Sequence, residues 1–201
     1  MRVIAGAAKG KRLKSPISDT TRPIMDRVKT ALFDILAFRI ADTTVLDLFA
    51  GVGSVGIEAL SRGAKHAVFI EMNLPIIRIL RENLANTGFT AQAAIHHSDA
   101  FAYIPRAAAA RTKFDIIYIA PPQYKGMAQR ALRAVVEHHL ASPDGLLIVQ
   151  IHPRERSEFI QQYGNYSLTD ERTYGSTSLL FYSETAQVSA AVNQKQEDSN
   201  P

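Results

Sequence analysis

The chain has 201 residues, 46% of them hydrophobic and 21% charged, proportions that allow one sizeable core with a small appendage and exclude wholesale disorder or two full domains. There is no cysteine, which removes disulfides, thiolate catalysis, Cys-ligated zinc and iron–sulfur clusters and fits a reducing compartment. The formal net charge of +4 is concentrated: residues 1–40 hold nine basic and three acidic side chains, net +6, against fourteen and sixteen, net −2, in residues 41–201, so a polyanion partner is expected at the N-terminal end.

Residues 3–5 and 12–14 flank a stretch bounded by Gly6 and Gly10, which predicts a short hairpin with a basic tip. After a loop, Val28, Leu32, Ile35 and Leu36 recur at helical spacing and predict an amphipathic helix over 24–38. Leu32, Phe33 and Ile35 read as its core face. From residue 44 onward, β-rich runs at 45–50, 66–71, 93–97, 114–120 and 146–152 alternate with helical stretches at 54–62, 74–86, 100–110 and 127–140. That alternation predicts a parallel sheet covered on both faces. Gly63 and Gly88 stop two of the helices, and Pro143-Asp144-Gly145 predicts a turn before the fifth strand. Residues 166–174 and 177–182 around Gly175-Ser176 read as an antiparallel hairpin at the sheet edge, and 184–201 as a disordered tail. The expected organisation is a basic extension over 1–40 and a three-layer α/β domain over 41–183. No apolar run reaches the ~20 residues that span a bilayer. The basic N-terminus does not read as a signal peptide, so a cytoplasmic protein is expected.

Gly51-Val52-Gly53-Ser54-Val55-Gly56 follows a predicted strand and opens a predicted helix, the context in which glycines let backbone amides and a helix N-terminus approach a ligand. Glu71, at the end of the next strand, is positioned to accept both hydroxyls of a ribose. These features suit dinucleotides and S-adenosylmethionine alike. Asp47 favours the second, because a carboxylate near the loop repels a pyrophosphate and attracts a sulfonium or ammonium. Asp99 is a candidate acceptor for an adenine amino group and an N-cap for the following helix. Phe49 joins the candidate cofactor contacts. Pro121-Pro122 ends the fourth strand, beside the switch point where such sheets bind ligands.

Met1 to Gly6 with Lys9 to Leu13, Thr21-Arg22-Pro23 with Asp26 to Lys29 and Ala31 to Leu36, Val45 to Gly51 with Gly53, Gly56 to Ala64, and Ile70-Glu71 resemble the RsmD family of RNA methyltransferases over roughly residues 1–183. The resemblance implies a Rossmann-like methyltransferase fold with a seven-stranded, mostly parallel sheet whose last hairpin is inserted antiparallel. It also implies methyl transfer from S-adenosylmethionine to the exocyclic N2 of a guanine in small-subunit (16S) ribosomal RNA, the partner being the small subunit or its assembly intermediate; a monomer is expected. In such enzymes an Asp/Asn-Pro-Pro-aromatic motif holds the amine. Here the stretch is Ala120-Pro121-Pro122-Gln123-Tyr124, without the side-chain acceptor and with the ring displaced by one residue. The favoured reading keeps Ala120, Pro121, Pro122 and Tyr124 as the catalytic stretch, backbone carbonyls standing in for the acid. The alternatives are another nucleobase amine, such as adenine N6, or an inactive RNA-binding factor. Lys9, Lys11, Arg12, Lys14, Arg22, Arg27 and Lys29 are the candidate phosphate contacts. Tyr103, Tyr118, Tyr163 and Tyr182 read as core or surface residues. The paired histidines at 96–97 and 138–139 point to different faces of their strand or helix, and no metal site is expected.

Overall fold

The computed structural model describes residues 1–16, 26–123 and 126–184. Arg22, Tyr124 and the expected tail after Glu184 lie outside the described residues. In chain order the elements are α1 (Asp26–Leu36), β1 (Thr44–Asp47), α2 (Ser54–Ser61), β2 (His66–Glu71), α3 (Leu74–Thr87), β3 (Ala93–His97), α4 (Ala100–Ala109), β4 (Phe114–Ile119), α5 (Met127–Glu137), β5 (Ala141–Ile151), β6 (Gln162–Tyr163), β7 (Tyr166–Tyr174) and β8 (Thr177–Glu184). They build one sheet of order β3-β2-β1-β4-β5-β8-β7-β6. Strands β1 to β5 run parallel, and β8 is antiparallel to both β5 and β7. The sheet has eight strands where seven were expected, because the two-residue β6 adds to the outer edge. The hairpin is therefore placed with β8 inside the sheet.

Side chains alternate between two cores. Ile116, Tyr118, Leu146 and Ile148 face one core with α1, α2 and α3, while Ile117, Ile119, Leu147 and Val149 face a second core with α4 and α5. Strand β5 begins earlier than expected: the turn predicted at Pro143-Asp144-Gly145 is a bulge within it, with Phe114 paired to Ala141, Ile116 to Leu146, and Asp144 at φ 61°. The chain therefore needs no separate turn to enter the strand.

The N-terminal extension is not a separate body. Val3, Ala8, Leu13, Val28, Leu32, Phe33 and Leu36 belong to the same core cluster as Val45, Ile57 and Phe69. The expected hairpin is reduced to one antiparallel bridge, Arg2 with Arg12, flanked by backbone bonds from Val3 to Lys11 and from Gly10 to Val3. Its turn leans on α2, where Ala8 N–H donates to Ser61 Oγ at 3.0 Å and Ala7 N–H to the Ser61 carbonyl at 2.7 Å. Ile35, expected in the core, is instead 38% exposed beside the fully exposed Phe38.

Lys29, expected on the RNA side, is a second correction. It is completely buried, and its ammonium donates to the Arg2 carbonyl at 2.6 Å, lies 3.2 Å from Glu58 Oε2 and reaches Ser54 Oγ at 3.3 Å. Glu58 is equally buried and accepts from Ile4 N–H, Ala5 N–H and Arg62 Nε at 2.8, 3.0 and 2.9 Å. Burial pulls the Lys29 pKa down, opposed by Glu58. Lys29 thus ties the N-terminal strand to the start of α2 and has no surface left for a phosphate.

A carboxylate-lined cleft at the carboxyl ends of the strands

A cleft of about 400 Å³ opens at the carboxyl ends of β1, β2 and β4, where parallel sheets of this kind hold ligands. Its loop follows β1. Gly53 sits at φ 86° as the N-cap of α2, a conformation that costs a non-glycine residue, and a Cβ there would come within 2.3 Å of Leu80 Cδ1. Gly56 lets α2 pack close to β2, since a Cβ would fall 2.3 Å from the Phe69 ring. Asn83 of α3 braces the loop from behind, donating to the Val52 carbonyl at 3.0 Å and to the Lys14 carbonyl at 3.1 Å.

Three carboxylates line this cleft, and no lysine or arginine does among the described residues. Asp47, at the end of β1, is 2% exposed and accepts from Gly56 N–H at 3.2 Å. Burial raises its pKa to about 7; the Gly56 N–H opposes that rise and the nearby Glu71 adds to it. Glu71, at the end of β2, accepts from Gly51 N–H at 3.0 Å and from Asn73 N–H at 2.8 Å, which fixes its carboxylate across the mouth of the loop. Asp99 caps α4 with one oxygen, accepting from Phe101 N–H at 2.8 Å and Ala102 N–H at 3.1 Å, so the expected N-cap is present while its second oxygen makes neither bond. Phe49 also lines the cleft and packs edge-to-face on Phe101, whose ring centroid also lies 3.9 Å from the Arg130 guanidinium.

The far wall is made by Ala120, Pro121, Pro122 and Gln123 beyond β4, by Gln150 on β5, and by Ser176 and Thr177 at the β7–β8 turn. Tyr118 also lines the cleft, and its hydroxyl donates to Gln150 Oε1. Gln150, Ser176 and Thr177 were not singled out in the sequence, and Tyr118 read there as core or surface. A glutamine ending the apolar run 146–149 at a carboxyl strand end was the available signal. Of the remaining candidates, Lys9, Lys11, Arg12, Lys14 and Arg27 are exposed. Lys14 pairs with Glu82 at 2.7 Å and Lys11 donates to the Asn86 carbonyl at 2.7 Å. Among the described residues no group of three or more His, Asp or Glu side chains could hold a metal ion, and no helix is long and apolar enough to cross a membrane.

The strand order, the antiparallel β8 and a glycine loop facing three carboxylates define an α/β protein of the methyltransferase fold. Residues 1–183 match the family model described as "Conserved hypothetical protein 95". The chain is 36% identical over 183 residues to a Bacillus subtilis protein named putative rRNA methyltransferase YlbH, covering 90% of this chain and 98% of that one. It is 32% identical over 187 residues to the Escherichia coli ribosomal RNA small subunit methyltransferase D, covering 93% and 91%. A solved structure described as a putative methyltransferase yhhF from Escherichia coli superposes with a TM-score of 0.81 at 31% identity, covering 93% of this chain and 99% of that chain. The chain belongs to this family, the RsmD family.

Proposed function

We propose that this protein transfers a methyl group from S-adenosylmethionine to the exocyclic N2 of a guanine in 16S ribosomal RNA, as a cytoplasmic monomer acting on the small subunit or its assembly intermediate. The observation that carries the cofactor assignment is the charge of the cleft: three carboxylates and, among the described residues, no basic side chain. Such a lining suits a cation and disfavours a pyrophosphate. The substrate follows from the relatives' names and from the exposed Lys9, Lys11, Arg12, Lys14 and Arg27.

In this reading Glu71 takes the ribose hydroxyls, the free oxygen of Asp99 the adenine amine, and Asp47 the positive charge of the methionine portion, with Phe49 against the adenine. When bound, S-adenosylmethionine would supply a sulfonium-activated methyl for the amine lone pair, with the C–S electron pair kept by sulfur and the displaced proton lost to water. The chain's contribution is positioning and electrostatics. Pro121 and Pro122 hold the wall against which the base rests.

The test is incubation of labelled S-adenosylmethionine with small subunits lacking the modification, followed by mapping of the labelled nucleotide. Label on a guanine N2 is the expected result, and label on adenine N6 overturns the substrate assignment. Ala120 favours the second reading, an RNA-binding factor without activity, which cofactor binding with no transfer to any RNA would support.

A further inference from the structure

Position 120, where the family motif carries a side-chain acceptor, holds only a methyl group, half-buried against the core shared with α1 and α2. One strand over, on the same face of the sheet, stands Gln150. Ile119 pairs with Val149, so 120 and 150 are the next positions in register, with backbones about 5 Å apart as in any neighbouring strands. Both side chains line the cleft.

The carboxamide of Gln150 is held in one orientation. Tyr118 lies two residues before Ala120, is 3% exposed, and donates its hydroxyl proton to Gln150 Oε1. Burial, with the Asp47 carboxylate beside it, raises the Tyr118 pKa well above its ordinary value, so the hydroxyl stays protonated and stays a donor. That leaves Gln150 with one acceptor lone pair on Oε1, while its amide N–H groups have no hydrogen-bond partner among the described residues. An acceptor and a donor side by side match an exocyclic amine next to a ring nitrogen, the edge that guanine presents at N2 and N3.

We propose that Gln150 is the residue that receives the acceptor base in place of the side chain missing at 120, its Oε1 accepting from the exocyclic amine and its Nε2 donating to the adjacent ring nitrogen, with Tyr118 as the positioning residue. This rests on the methyl-transfer reading above. A neutral carboxamide localises the nitrogen lone pair less strongly than a carboxylate and takes no proton, consistent with the proton leaving to water.

The experiment compares wild type, Gln150→Ala, Tyr118→Phe, Ala120→Asp and the double variant Gln150→Ala/Ala120→Asp. For each it measures kcat on unmodified small subunits and the calorimetric Kd for S-adenosylmethionine. Gln150→Ala is expected to lower kcat by about 10- to 100-fold, the loss of one hydrogen bond to an amine that gains positive charge as it is methylated, with the cofactor Kd unchanged within about twofold. Tyr118→Phe, which keeps the ring packing, is expected to lower kcat by about 3- to 10-fold without moving the cofactor Kd. The double variant recovers at least about tenfold over Gln150→Ala, because the acid returns an acceptor from the adjacent position. Undiminished kcat in Gln150→Ala, with wild type active, overturns the proposal alone. Wild type that binds the cofactor and methylates no RNA overturns the functional reading and the proposal together.

Discussion

Lys29→Met separates a buried structural cation from a member of the proposed RNA-binding surface. Methionine keeps the aliphatic stem against the core and deletes an ammonium that reaches the Arg2 carbonyl at 2.6 Å, Glu58 Oε2 at 3.2 Å and Ser54 Oγ at 3.3 Å. Breaking a buried ion pair by removing one partner costs about 3–5 kcal/mol when the other charge is stranded. Glu58 is not wholly stranded, since Arg62 and the amides of Ile4 and Ala5 remain bonded to it. The loss is therefore set near the bottom of that range, about 3 kcal/mol. For a chain of this size each kcal/mol shifts Tm by about 2–4 °C, so a drop of roughly 6–12 °C is expected in a circular-dichroism melt. Glu58→Gln should destabilise as well, and Lys29→Met/Glu58→Gln should cost less than the two singles summed, because the pair shares one network. The salt dependence of RNA binding should not change. A Tm within about 2 °C of wild type, together with a salt slope smaller by about one ion, would refute the burial argument and return Lys29 to the RNA side.

Gly56→Ala drives a methyl to 2.3 Å from the Phe69 ring, so urea unfolding should show a loss of about 1–3 kcal/mol, smaller in a Phe69→Leu background; an unchanged midpoint would contradict the close approach of α2 to β2. Asp47, with its pKa raised to about 7, is partly protonated near neutrality, and a bound cation favours its ionised form. Affinity for S-adenosylmethionine should therefore rise with pH toward about 7 and level off above it, with proton release measurable by calorimetry in buffers of different ionisation enthalpy; Asp47→Asn should abolish the dependence, and a flat wild-type profile would sink it. Replacing Lys9, Arg12 and Arg27 together should reduce the slope of log K for RNA against log salt by about two, whereas an unaltered slope would count against this surface.

The fold was legible because buried parallel strands and amphipathic helices carry different periods, and each glycine loop or cap falls between them. The three carboxylates of the cleft were legible for the same reason: Asp47, Glu71 and Asp99 sit at or beside strand ends, next to the switch point. Lys29 misled because a run of basic residues looks uniform along the chain. Its spacing to Leu32, Phe33 and Leu36 put it on the buried stripe of α1, and that spacing was the better guide. Tyr118 and Gln150 stayed hidden because a strand covered on both faces offers no polar alternation. Their partnership depends on pairing between β4 and β5, which no local pattern reports. The merging of residues 1–16 and 26–40 into the main core was equally non-local: Glu58 meets Ile4 across 54 positions of chain.

The antiparallel β8 has a consequence for the order in which the chain is made. Strand β5 hydrogen-bonds β4 on one side and β8 on the other, with Leu146 to Ile151 paired to Ser183 to Ser178. Until residues 177–184 leave the ribosome, β5 presents an open row of amides and carbonyls flanked by apolar side chains, a template for pairing with another chain. The nascent protein therefore carries this open edge until β8 emerges. The same closing strand delivers Thr177 to the cleft wall, so the far wall of the cleft is complete only once that edge is paired.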